Sequence, residues 1–240
     1  PKTEKTLKAV ITTKKRVEVE EDDLSLKTFV VASRTNPSTH EAYFTGQTDP
    51  AFRASDILTR ADAAAVFAAI LGLSTEETQT SFTDVSPDDP YAGAVKAITD
   101  TGYMRGLGHN KFYPDQGVSR AQFITMVARY LGIERSYYIE PLSYHFTDIE
   151  CNSARSSIEE AYRYGLVLPY EDGSFRPYQV VTRGEAVRML NRMLCLGSIT
   201  NAASPYTDVL TTDPGFGEIA AAVMNTETLT NEDGTETIVD

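Results

Sequence analysis

The chain has 240 residues, 41% of them hydrophobic and 23% charged, a composition that supports a packed core and excludes a disordered chain. Its formal net charge of −12 argues against the phosphate backbone of a nucleic acid as partner, and no apolar run is long enough to span a bilayer. Residues 1–36 carry eight Lys/Arg against six Asp/Glu, so the acidity lies in the remainder. A start at Pro1 rather than Met, in a basic polar stretch without the apolar core of a signal peptide, is expected of a piece cut from a longer protein.

Residues 1–36 read as a short β-rich segment, either a linker or the tail of an upstream domain. Val17–Glu20 alternates apolar and charged side chains, Thr28–Ala32 is a second β-rich run, and Glu21-Asp22-Asp23 suits a turn between them. Asn36-Pro37-Ser38 marks a boundary, and residues 37–240 form the main module.

An internal period runs through that module. Leu58-Thr59-Arg60-Ala61-Asp62, Val118-Ser119-Arg120-Ala121-Gln122 and Val181-Thr182-Arg183-Gly184-Glu185 each open an apolar-striped helix that runs to Gly72, Gly132 and Gly197. Phe52, Phe112 and Phe175 stand eight residues before the arginines; Pro114 and Pro177 stand six before, with Ala54 in the first copy. A second half-motif interleaves as Phe82-Thr83-Asp84-Val85, Phe146-Thr147-Asp148-Ile149 and Tyr206-Thr207-Asp208-Val209. Short amphipathic helices follow at about 91–100, 156–164 and 217–224. Thr59, Ser119 and Thr182 are N-cap residues; Gln122 and Glu185 complete capping boxes and Asp62 is a near match. Gly72, Gly132 and Gly197 suit the residue after each helix.

The fold expected is mainly α. Three two-helix units, at about 40–80, 82–133 and 146–197, stand in a pseudo-threefold closed arrangement, with the first unit completed by 206–225. That closure follows from the half-motifs: the first arginine helix lacks a preceding Phe-Thr-Asp segment and the last Tyr-Thr-Asp lacks a following arginine helix. The helix near 217–224 would then dock beside His40–Gly46.

Cys151 and Cys195 are 44 residues apart and match no metal or redox spacing. Cys195, among Met189, Leu190, Met193 and Leu194, reads as a buried thiol, with a disulfide as the other option. His40, His109 and His145 form no ligand pattern, so neither a metal nor a cofactor is implied. No nucleophile elbow or phosphate loop appears, which argues against an enzyme.

Arg60, Arg120 and Arg183 are the informative residues. At the first helical position a cation opposes the helix dipole, while free N–H groups there and a planar guanidinium both suit an anion. Two readings stay open: a site for an anionic ligand, or ion pairs with Asp84, Asp148 and Asp208, which recur with the same period.

Phe82-Thr83-Asp84-Val85, Gly102-Tyr103-Met104-Arg105-Gly106, Phe112-Tyr113-Pro114 and Ser119-Arg120-Ala121-Gln122, read in that order, resemble the S-layer homology domain. His40-Glu41-Ala42-Tyr43-Phe44-Thr45-Gly46 resembles the way such modules begin part-way through a unit, and the resemblance covers about residues 40–225. It implies a three-lobed helical module at the surface of a bacterium, exported and non-catalytic. Such a module anchors a larger protein non-covalently to secondary cell-wall polysaccharide carrying a pyruvylated amino sugar.

The resemblance also implies ligand-binding roles for Arg60, Arg120, Arg183, Asp84, Asp148 and Asp208, with loop glycines Gly46 and Gly106. The family usually has Trp at the start of the short helix. This chain has none, and Tyr91 and Phe216 are the substitutes as sugar-stacking faces, with Ala154-Arg155 in the second copy. Pro169 stands where the third loop glycine belongs and has no N–H to give a ligand. The groove expected to keep most of the pattern combines Arg120, Asp84 and Gly106. Two alternatives accompany this reading: a degenerate module used for protein–protein assembly, and an anchor attached to an upstream wall-acting enzyme.

Overall fold

A computed structural model describes residues 10–11, 17–18, 38–44, 49–133, 145–231 and 233–239. It is mainly helical. Two short strands, β1 (Val10–Ile11) and β2 (Val17–Glu18), pair antiparallel, and β3 (Ser38–His40) follows. Among the described residues the helices that come next are α1 (Arg60–Ile70), α2 (Ala92–Asp100), α3 (Arg120–Leu131), α4 (Arg155–Arg163), α5 (Arg183–Leu194) and α6 (Phe216–Val223). The described chain closes on a hairpin of β4 (Thr226–Thr230) and β5 (Glu236–Ile238). β2 covers the start of the strand expected at 17–20, whereas the run Thr28–Ala32 and the turn at 21–23 lie outside the described residues.

The arginine helices start where their caps dictate. Thr59, Ser119 and Thr182 each accept the N–H of the third helical residue, whose side chain accepts the cap residue's N–H in return. Asp62 closes its box as fully as the longer Gln122 and Glu185, reaching the Thr59 N–H at 3.1 Å. Each cap stabilises its helix by about 1 kcal/mol. α3 ends on Gly132 in the left-handed region (φ 71°). α5 departs from expectation. It ends at Leu194, and Cys195 takes the left-handed conformation there (φ 55°). Having left the helix's apolar face, Cys195 is exposed rather than buried. Gly197 has a different job. A Cβ on it would sit 2.4 Å from the Gly234 carbonyl oxygen, so the residue is small to admit the C-terminal hairpin.

Consecutive helices pack as α1 on α2, α3 on α4 and α5 on α6, with α3 also meeting α5. Each packed pair therefore straddles two of the sequence repeats. Phe52, Phe112 and Phe175 are completely buried, and each takes a ring from the second half-motif: Tyr206 at 5.4 Å, Phe82 at 5.5 Å and Phe146 at 5.3 Å.

Three segments just before α1, α3 and α5 hydrogen-bond in a cycle. Leu58 N–H donates to Val181 O (2.8 Å), Val181 N–H to Val118 O (2.9 Å) and Val118 N–H to Leu58 O (3.0 Å). The two ends of the module also meet. β4 lies between β3 and β5 in an antiparallel three-stranded sheet, and the N–H groups of Tyr43 and Phe44 both donate to Ala222 O at the end of α6. Glu236, buried in β5, accepts from Gly197 N–H and Thr228 Oγ1, each at 2.8 Å. The sequence reading did not find this hairpin, although Asp233-Gly234 between Thr-rich alternating runs is a hairpin signal.

Gly197→Ala is expected to lower stability by about 1–3 kcal/mol, because overpacking against backbone cannot be relieved by a rotamer change. Urea denaturation measures it; an unchanged midpoint would show that the hairpin does not need this close approach.

Candidate functional site

A buried guanidinium must find oxygen acceptors, and the three arginines find them the same way. Arg60, Arg120 and Arg183 are 5%, 7% and 8% exposed. Their Nε–H groups donate to Phe112 O (2.7 Å), Phe175 O (2.9 Å) and Phe52 O (2.8 Å). Each guanidinium also lies over the ring of that phenylalanine, at 4.5, 4.9 and 5.0 Å. Arg60 Nη2 donates further to Arg105 O at 2.7 Å.

The recurring aspartates grip the other side of the same loops. Asp84 accepts from the N–H groups of Phe112 (2.9 Å) and Tyr113 (2.8 Å); Asp148 from Phe175 and Arg176, both 2.8 Å; Asp208 from Phe52 and Arg53, both 2.7 Å. Tyr113, Arg176 and Arg53 all have φ between 55° and 60°, a left-handed conformation uncommon for residues other than glycine. Two charge-assisted hydrogen bonds, about 1.5–3 kcal/mol each, offset that strain. Among the described residues, no ion pair joins these aspartates to the three arginines. The ion-pair reading is thus corrected: Asp and Arg meet through a shared phenylalanine.

The helix termini differ from expectation too. The first two N–H groups of α1 donate to Gln116 O and Pro114 O, those of α3 to Gln179 O and Pro177 O, and those of α5 to Asp56 O and Ala54 O. The N-terminal N–H groups expected to welcome an anion are already satisfied by the neighbouring loop, leaving the arginine side chain as the cationic group.

These contacts sort the candidate residues into three neighbourhoods. Arg60 belongs with Asp84, Phe112 and the Gly106 loop; Arg120 with Asp148, Phe175 and the Pro169 loop; Arg183 with Asp208, Phe52 and Phe44. The expected combination of Arg120 with Asp84 and Gly106 is therefore corrected, because each arginine reaches into the loop of another repeat rather than its own. Gly46 lies outside the described residues. Gly106 is required by packing, since a Cβ there would meet the Phe82 ring at 2.6 Å and Lys111 O at 2.7 Å.

Tyr91, half-buried at the start of α2, lies near Asp84: desolvation raises its hydroxyl above the ordinary value, with Asp89, Asp115 and Asp84 adding to the effect. Phe216 does not serve as a stacking face. It is 5% exposed, turned inward by its place on the apolar side of α6. Sequence reasoning missed Tyr170, whose ring is within cation–π distance of both Arg120 (5.1 Å) and Arg176 (3.8 Å) and whose hydroxyl donates to Glu185 Oε1 at 3.3 Å.

Burial pushes the Arg60 and Arg183 guanidinium groups below their ordinary values, while Asp84 and Asp62 respectively oppose the shift. For Asp84 and Asp208, desolvation pushes the carboxyl up but is outweighed by the backbone N–H groups, of Phe112 and Tyr113 in one case and of Arg53 and Phe52 in the other. Both end below the ordinary carboxylate value.

Residues 81–124 and 145–187 match the S-layer homology domain. The chain is 30% identical over 196 residues to Cell surface glycoprotein 1 of Acetivibrio thermocellus, a match covering 78% of this chain and 8% of that protein. It is 29% identical over 208 residues to the Cellulosome-anchoring protein of the same organism, covering 84% of this chain and 46% of that protein. Exoglucanase XynX, also from Acetivibrio thermocellus, is 27% identical over 152 residues, 62% of this chain and 14% of its own length. The chain thus spans less than half the length of these relatives.

The depressed carboxyls of Asp84 and Asp208 contribute stability that is complete above the unfolded value of about 4 and is lost as pH falls through the folded value. The melting temperature should therefore drop on acidification below about pH 4. Asp84→Asn with Asp208→Asn should lower the neutral-pH melting temperature and flatten that acid limb. Circular-dichroism melts across the pH range test this; an equal loss at neutral and acid pH would show that the carboxylate charge is not what holds these loops.

Proposed function

We propose, from the premise that S-layer homology segments stand at 81–124 and 145–187, that this chain anchors an exported protein at the bacterial cell surface. It does so by non-covalent binding to an acidic secondary cell-wall polysaccharide, with the carboxylate of a pyruvylated amino sugar as the anionic group. The observation that carries the reading is a guanidinium oriented by neutral carbonyls. Nε–H···O=C bonds to the buried phenylalanines fix the direction of each arginine without spending its charge on the recurring aspartates.

In this reading the module is three two-helix units in a pseudo-threefold closed arrangement, the first unit completed by residues 206–225. Support comes from the cyclic hydrogen bonds among Leu58, Val118 and Val181, and from Asp208 bonding to Phe52 and Arg53 as Asp84 and Asp148 bond to their own loops. The ligand-binding set is Arg60, Arg120, Arg183 with Asp84, Asp148, Asp208, the Gly46 and Gly106 loops and Tyr91. The aspartates act by holding the loop against which each arginine is set. The chain is a non-catalytic anchor, and the surface and anchoring relatives support that role. Where a relative is named as an enzyme, the match covers a small fraction of that protein.

Tyr170 and Glu185 crowd the Arg120 neighbourhood, and this favours a second reading, protein–protein assembly at the cell surface, for that face. Co-sedimentation with purified wall sacculi separates the two. Binding to intact sacculi, lost at least about tenfold once the polysaccharide is stripped, supports the glycan reading; binding that survives stripping replaces it with the assembly reading.

A further inference from the structure

The three aspartate-held loops are not joined alike. Asp84 and Asp148 bond to loops only 27–29 residues further along the chain. Asp208 bonds to the N–H groups of Phe52 and Arg53, 156 and 155 residues away. The other bonds across this junction span similar distances. Thr207 N–H donates to Pro50 O (2.9 Å), Tyr43 and Phe44 N–H to Ala222 O (3.0 and 2.9 Å), and Ala42 N–H to Asn225 Oδ1 (2.7 Å). β3 and β4 pair from Ser38–Thr228 to His40–Thr226. Asn191 of α5 joins both sides, accepting from the Tyr43 hydroxyl at 2.7 Å and donating to Glu218 O at 2.9 Å.

The C-terminal side of the junction is bonded to itself. Ile199 N–H donates to Gly217 O, Glu236 N–H to Ser198 O, Thr200 N–H to Glu236 O, and Gly197 N–H to the Glu236 carboxylate. The segment from Gly197 onward, with α6 and the β4–β5 hairpin, is therefore one block, and it hangs from α5 by Cys195 and Leu196.

That hinge is strained. Cys195 has φ 55° and stands twelve residues after its arginine, where the other two copies have Gly72 (φ 63°) and Gly132 (φ 71°). Glycine adopts the left-handed conformation freely, whereas a Cβ makes it costly. Turning Cys195 into the right-handed region releases the strain, lengthens α5 and carries the block away from the start of its own chain.

We propose that this block is exchanged between two copies of the chain, so that the protein closes on itself when dilute and reciprocally with a second copy when concentrated. The partner is an identical chain because residues 38–53 and α5 already match this block bond for bond. Exchange keeps every one of those bonds, releases the hinge and costs only association entropy, so concentration decides between the two forms. The Arg183 neighbourhood then becomes composite, its Phe52 loop held by Asp208 of the second copy. None of this depends on what the module binds.

The test uses the β3–β4 ladder, in which Thr39 faces Glu227. Glu227 O accepts the Val239 N–H on the β5 side, so towards β3 the pair is of the non-hydrogen-bonded kind, whose side chains stand closer. One full-length chain carries Thr39→Cys and another Glu227→Cys, both with Cys151→Ser and with Cys195→Ala, which keeps the hinge Cβ. They are unfolded together in urea, refolded at graded concentrations, oxidised and separated on a non-reducing gel. A disulfide between the two chains is expected, rising with concentration, absent when either chain is oxidised alone, and several-fold less abundant when Cys195→Gly replaces Cys195→Ala. Light scattering of the unmodified chain, refolded in the same way, should show dimers with the helical content of the monomer by circular dichroism. A chain that stays monomeric by light scattering over the whole range overturns the proposal. So does an equal yield of dimer from either single-cysteine chain alone, or a mixed dimer indifferent to the glycine.

Discussion

Three phenylalanines, Phe52, Phe112 and Phe175, are held by their backbone from both sides, and much of the molecule is arranged around that grip. An aspartate takes the N–H groups on one side and an arginine Nε–H takes the carbonyl on the other. Burying a guanidinium costs several kcal/mol unless its donors are met, and a left-handed residue after each phenylalanine costs about 1–3 kcal/mol more. Each cost is offset by the partner that the other creates: the strained turn presents the carbonyl, and the aspartate makes the strained turn tolerable. The phenylalanine ring, fully buried beneath the guanidinium, adds apolar area and a cation–π contact.

The same loops cap the helices. Backbone carbonyls at 54–56, 114–116 and 177–179 satisfy the first N–H groups of α5, α1 and α3, and the residues just upstream of those helices close a cycle of three further bonds. No arginine helix is therefore completed by its own repeat. The period visible along the chain and the pairs formed in packing are out of step by half a unit, because each loop serves the neighbour's helix. The hairpin β4–β5 joins the system by pairing with β3 and by seating Glu236 under Gly197.

Equal scaffolds then carry unequal chemistry. The third helical position can be filled by Asp, Gln or Glu without harm to the cap, because each offers an acceptor oxygen to the same N–H. That tolerance leaves the charge of the side chain open to another use. Glu185 and Asp62 stand within ion-pair distance of Arg120 and Arg183, whereas the neutral Gln122 gives Arg60 no such partner among the described residues.

The sequence by itself determined the helices, the three arginine starts, the recurring aspartates and the caps. Those signals are local: a period of 3.6, a polar residue three positions from its partner, a glycine past a helix end. Asp62 closing its box and Gly132 in the left-handed region follow from such short-range chemistry. Tertiary structure alone decided which loop each arginine enters, because the bonds span 52, 55 and 131 residues and nothing in the local pattern selects among three similar loops. It likewise turned Phe216 inward, left Cys195 exposed past a shortened helix, and satisfied the helix N-termini with carbonyls from elsewhere. In each case the deciding partner is distant in sequence, and its identity depends on how the chain closes on itself.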